Sequence, residues 1–87
     1  MPDGMNGELD REDLRRTVAD VLDLEVADVT DDARFVEDLE VDSLMALEVM
    51  VVLERKYGVK LAESELQRVS TLDGAFGLLS EKLAALA

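Results

Sequence analysis

Ser43-Leu44-Met45-Ala46-Leu47-Glu48-Val49-Met50-Val51-Val52-Leu53-Glu54-Arg55-Lys56-Tyr57, followed by Gly58, is the stretch on which the fold turns. At about 100° per residue, Ala46, Val49, Met50, Leu53 and Tyr57 share one arc of a helical wheel and predict a core stripe. Either Asp42 or Ser43 supplies the N-cap, and Gly58 supplies a residue able to end the helix in a left-handed turn. The opposite arc holds Leu44, Glu48, Val51, Val52 and Arg55, with Met45 nearby. An outward arc this apolar predicts a partner surface, unless a fourth helix covers it.

On the N-terminal side, Leu14, Val18, Val21 and Leu22 repeat at helical spacing behind Asp10, an N-cap residue, and predict a helix over Asp10 to Leu24. Glu25 to Asp42 has no sustained period and holds the acids Asp28, Asp31, Asp32, Glu37, Asp38, Glu40 and Asp42. Val29, Phe35, Val36 and Leu39 are spaced to pin this segment across a bundle, so it reads as a packed loop. Beyond Gly58, Val59-Lys60-Leu61 bridges to a short helix near Ala62 to Gln67. Ser70-Thr71-Leu72-Asp73 then matches a capping pattern ahead of Leu72, Phe76, Leu79 and Leu83 at helical spacing. Met1 to Glu8, with the only Pro and two Gly, reads as a flexible tail. The expectation is an all-α domain over residues 9–87, a small four-helix bundle with three longer helices, one short helix and a long first loop.

Charge and composition remove whole classes of function. Twenty-one acids against nine bases give a net charge of −12, which phosphate backbones repel, so no nucleic-acid partner is expected. Without His or Cys, the usual zinc, haem and iron–sulfur ligand sets and the Ser–His and Cys–His pairs are missing. The acidic loop lacks the Gly that an EF-hand needs, and it reads as a solvated face rather than a metal site. No apolar run reaches the roughly 18–20 residues that span a bilayer, and the first eight residues lack a secretory pattern. A cytoplasmic monomer is expected.

Asp42-Ser43-Leu44 by itself fits an ordinary helix cap. Physically, its place also suits a phosphate, because a helix N-terminus offers unpaired N–H groups and partial positive charge. The wider pattern is Phe35-Val36-Glu37-Asp38-Leu39-Glu40-Val41-Asp42-Ser43-Leu44, then Leu47-Glu48-Val49, then Glu54 to Lys60, then Ser70-Thr71-Leu72. Through these residues, from about Leu9 to Leu83, the chain resembles an acyl carrier protein, the small four-helix carrier of fatty-acid and polyketide synthesis.

The resemblance implies that Ser43 carries 4′-phosphopantetheine, added from coenzyme A by a Mg²⁺-dependent phosphopantetheinyl transferase. The attached thiol then holds acyl groups as thioesters while acyltransferases, ketosynthases or other acyl-processing enzymes do the chemistry. It implies a non-catalytic protein. Asp42 matches a position recognised by the transferase, Leu44 an apolar partner contact and Glu48 an acidic recognition position. With Met45, Val51 and Arg55 on the same helix, these form the expected partner surface. Leu47, Met50, Leu61 and Phe76 are the expected lining of a cargo cleft. The chain departs from the family pattern at Glu40, where Gly is common, which implies a different backbone path and an added charge before Ser43. It departs again at Met45, where fatty-acid carriers often have an acid. These departures tilt the expectation toward polyketide or another secondary pathway. The alternatives are a discrete aminoacyl or D-alanyl carrier and an acidic helical interaction module with no prosthetic group.

Overall fold

The computed structural model describes residues 9–86, so the expected tail lies outside the described residues. Helix α1 spans Arg11–Leu22, α2 Ser43–Tyr57 and α3 Leu72–Leu86, with a 3₁₀ turn at Val26–Asp28 and a 3₁₀ helix at Glu63–Ser70. Among the described residues there is no strand, and the four-helix, all-α expectation holds.

Asp10 caps α1 by accepting the Glu12 N–H at 3.0 Å. The helix ends two residues before the expected Leu24 because Asp23 turns left-handed, at φ 59. The Leu24 N–H then folds back to the Ala19 carbonyl at 2.8 Å, which satisfies an end carbonyl that would otherwise be orphaned. Helix α2 has the predicted bounds and buries all five residues of the predicted stripe. At its end, Gly58 takes φ 66, a conformation that costs glycine little and a branched side chain much.

The segment expected as a short helix near Ala62 to Gln67 is a 3₁₀ helix that runs on to Ser70. Its apolar residues explain the difference. Leu66 and Val69 stand three positions apart, the repeat of a 3₁₀ helix, and their side chains pack on the core. Glu65 holds the start by accepting the Ala62 N–H at 2.8 Å, and the Ser70 hydroxyl closes the end on the Gln67 carbonyl at 2.6 Å. Ser70 is therefore not the cap of α3. That cap is Thr71, whose Oγ1 accepts the Gly74 N–H at 3.0 Å. Gly74 is where the two helices meet: a Cβ there would collide with the Arg68 carbonyl oxygen.

The long first loop is packed, as expected, although not by every expected residue. Val29 and Phe35 are fully buried and Leu39 is partly buried, whereas Val36 points outward at 45% exposure. Backbone bonds join the loop to α3 and its approach: the Phe35 N–H donates to the Ser70 carbonyl and the Asp73 N–H to the Asp31 carbonyl, both at 2.9 Å. Arg15 of α1 binds the Val29 carbonyl and the Asp31 carboxylate, while Arg11 pairs with Asp73 at 2.9 Å and covers the Phe76 ring. Two arginines thus tie the loop and α3 to the first helix.

Tyr57 closes the far end of α2. Its hydroxyl reaches Asp13 at 3.4 Å, and Lys56 pairs with the same carboxylate at 2.9 Å. Burial, reinforced by the Asp13 charge, pushes the phenol up to about 12 from its ordinary 10.0. The fold therefore favours the protonated phenol, a contribution complete below pH 10 and lost as pH rises toward 12. Tyr57→Phe should lose less stability than wild type over that interval, by on the order of 2 kcal/mol. Denaturant melts at stepped pH check this; parallel alkaline limbs would contradict it.

Candidate functional site

The site is the junction where the first loop becomes α2. Asp42 is extended, at φ −62 and ψ 141, and its Oδ1 accepts the Leu44 N–H at 3.0 Å. Its carbonyl accepts the Met45 and Ala46 N–H groups at 2.9 and 3.2 Å. Asp42 is therefore the cap, and Ser43, the first helical residue, is exposed with its hydroxyl spared that task.

No acidic side chain lies in the first turn of α2, and Arg55 and Lys56 lie in its last. Cations at the C-terminal end complement the helix dipole there, while at its positive end the Asp42 carboxylate takes the Leu44 N–H and Ser43 stands exposed beside it. An exposed hydroxyl in that field fits a phosphodiester.

The approach to Ser43 is held from behind. The Val41 N–H donates to the carbonyl of buried Phe35 at 3.0 Å, so the chain reaches Asp42 from an anchored point. Between these residues, Glu40 has φ 56. This left-handed conformation is the one glycine adopts without strain, and it costs other residues roughly 1–2 kcal/mol. Glu40 thus sits in a backbone conformation that glycine adopts freely.

The predicted recognition residues mostly share one exposed stripe of α2. Leu44 is 68% exposed and Val51 47%, and Glu48 and Arg55 are exposed alongside them. Met45 lies at the edge of this stripe and is partly buried against the core. Of the expected cargo lining, Met50 and Leu61 are buried, and Leu47 and Phe76 are partly buried against the same core. Sequence reasoning missed Arg11 and Arg15, which hold the loop behind the site. Their acidic partner Asp31 lies too far along the chain for a local pattern to reveal the pairing.

Residues 12–75 match the family described as "Phosphopantetheine attachment site". The chain is 60% identical over 83 residues to Polyketide-8 synthase acyl carrier protein 2 of Streptomyces avermitilis, covering 95% of each chain. It is 36% identical over 72 residues to an acyl carrier protein of Petrotoga mobilis, covering 83% of this chain and 85% of that one. The fold aligns with the solved structure of an acyl carrier protein from Enterococcus faecalis at a TM-score of 0.68 and 24% identity, over 85% of this chain and 99% of the other. With the attachment-site match spanning most of its helices, the chain belongs to the acyl carrier proteins, the carriers of 4′-phosphopantetheine.

Proposed function

We propose that Ser43 is the residue that bears 4′-phosphopantetheine, and that this carrier serves a polyketide pathway. The observation that carries the first part is the division of labour at the start of α2: Asp42 caps the helix, and Ser43 stands exposed at its positive end. The second part is supported by 60% identity to a carrier named for a polyketide synthase. When attached, the group supplies the thiol that this Cys-free chain lacks and holds acyl groups as thioesters. The chain's own residues present that arm and are recognised; they perform no catalysis. Residues 9–87 form the carrier unit in this reading, acting as a cytoplasmic monomer.

Incubation with coenzyme A, Mg²⁺ and a broad-specificity phosphopantetheinyl transferase should add the mass of one phosphopantetheine, and peptide mapping should place it on Ser43. Failure with several such transferases would overturn the assignment. Native mass spectrometry of protein from its own host, with the thioester intact, reads the cargo; fatty-acyl chains alone would remove the polyketide reading.

The enzymes that recognise the carrier are proposed to be the transferase, through Asp42, and acyltransferases or ketosynthases, through Leu44, Met45, Glu48, Val51 and Arg55. Val51 tests the surface because its 47% exposure separates contact from packing. Val51→Glu should slow acyl transfer to the cognate ketosynthase or acyltransferase about five- to ten-fold, the loss typical of one apolar interface contact. Its thermal midpoint should move little, since exposed substitutions stay within about 0.5 kcal/mol. A large fall in the midpoint would instead place Val51 in the core.

A further inference from the structure

We infer that Arg15, on α1, is a positioning residue for the loading of Ser43: it fixes the first loop from outside, and the loop carries that placement to the start of α2. This rests on Ser43 being the attachment residue. Every nitrogen of the guanidinium is engaged. Nε and Nη2 donate to the two oxygens of Glu12, one turn back on the same helix, at 3.1 and 2.9 Å. Nη1 donates to the Val29 carbonyl, and Nη2 donates also to the Asp31 carboxylate at 2.7 Å. Glu12 thus aims a planar fork that grips the loop twice, once by its backbone and once by a side chain. Among the described residues, no other side chain outside the loop donates to one of its carbonyls. At 14% exposure Arg15 is withdrawn from water, whereas Arg34 within the loop is 56% exposed.

From this grip, a fixed point follows every few residues up to Ser43. The Asp31 carbonyl accepts the Asp73 N–H at 2.9 Å, the Phe35 N–H donates to Ser70 at 2.9 Å, and the Phe35 carbonyl accepts the Val41 N–H at 3.0 Å. Asp42 comes next and caps α2. Arg11 does not duplicate the grip: its close pairing is with Asp73 on α3, and it reaches Asp31 only at 3.7 Å.

The first turn of a helix lacks internal partners for its N–H groups and frays unless its cap is held in place. Ser43 is the first residue of that turn, and the loop delivers its cap. Loading forms a bond from Ser43 Oγ to the phosphorus of coenzyme A nearer the pantetheine and breaks the bond from that phosphorus to the bridging oxygen. 3′,5′-Adenosine diphosphate departs, and the hydroxyl proton passes to a base of the transferase. Such a displacement depends on how the attacking oxygen is held, so a loosened loop slows bond making. The exposed face of α2 is untouched, so encounter is spared.

The test is single-turnover loading of Ser43 with transferase, coenzyme A and Mg²⁺ in excess over carrier, each variant assayed well below its own thermal midpoint. Arg15→Lys keeps the charge and loses the fork. It should lower the single-turnover rate constant about three- to ten-fold while the steady-state KM for carrier stays within about two-fold of wild type. Asp31→Asn weakens the same grip from the loop side, and the double variant should load no more slowly than the slower single, because both sever one connection. Lys56→Met breaks the pairing with Asp13 at the other end of α2, controls for lost stability, and should load at the wild-type rate. In the unloaded protein, the backbone amide resonances of Val41 to Leu44 should shift in Arg15→Lys and not in Lys56→Met. Wild-type loading by Arg15→Lys, equal slowing by Lys56→Met, or single effects that multiply in the double variant would each overturn the proposal. If Ser43 of the wild type is never loaded, the attachment assignment is what has failed; unshifted amides at Val41 to Leu44, which need no loading, are the separate failure of the positioning role.

Discussion

Ser43→Ala should abolish phosphopantetheine loading outright while leaving the molecule as stable as before. Loss of the hydroxyl removes the only atom at the start of α2 to which the phosphodiester is proposed to be joined. Stability should be spared because the cap belongs to Asp42, whose bond to the Leu44 N–H is untouched. Alanine is also the best helix former, so a first-turn substitution by it carries no propensity penalty. The pair of measurements is an intact mass after incubation with the transferase and a thermal melt. A mass gain that survives the substitution would move the attachment to another residue. A midpoint lowered by more than about 5 °C, equivalent to roughly 1 kcal/mol, would show Ser43 serving the fold.

Phe35→Ala should do the reverse, disabling the fold without altering any group at the site. Phe35 is fully buried, although it comes from a loop and not from a helix. Truncating a buried phenylalanine costs about 3–5 kcal/mol, part lost transfer energy and part cavity. A small domain holds only about 5–15 kcal/mol in all, so the midpoint should fall by roughly 15–30 °C. Both backbone groups of Phe35 are also engaged, its N–H to Ser70 and its carbonyl to Val41, so the damage should spread to the approach to Ser43. Loading should slow at temperatures where the variant is still folded on average. A loss under about 1 kcal/mol would show that the loop is not a structural part of the bundle.

How much of this was legible beforehand depends on how far apart the interacting residues lie. Helix α2 was readable to the residue because its cap, stripe and terminator, Asp42 through Gly58, are all local signals. Helix α1 was overestimated at its end because Asp23, an acceptable helical residue, also tolerates the left-handed turn. Ser70 and Thr71 are adjacent hydroxyls, and which one caps α3 is decided by the 3₁₀ helix that ends on Ser70. The route of the loop was not readable at all, because it depends on Arg15 meeting Asp31 and on Phe35 meeting Ser70. At the candidate site, Asp42-Ser43-Leu44 alone fits a plain cap, and the wider pattern through Ser70-Thr71-Leu72 raised it to an attachment site. The exposed stripe of Leu44, Glu48, Val51 and Arg55 was legible as an outward arc. The strain at Glu40 was not, since a backbone angle leaves no mark on a one-dimensional pattern.

The amides of Phe35 and Asp73, far apart in the chain, interlock the first loop with the start of α3. Neither segment can peel away alone without breaking a bond that belongs to both, so in hydrogen exchange their protection should rise and fall together as one opening unit. The loop that leads to Ser43 is therefore coupled to the helix that walls the core. Loosening of either segment should therefore be read at the amides of the other, as far as the approach to Ser43.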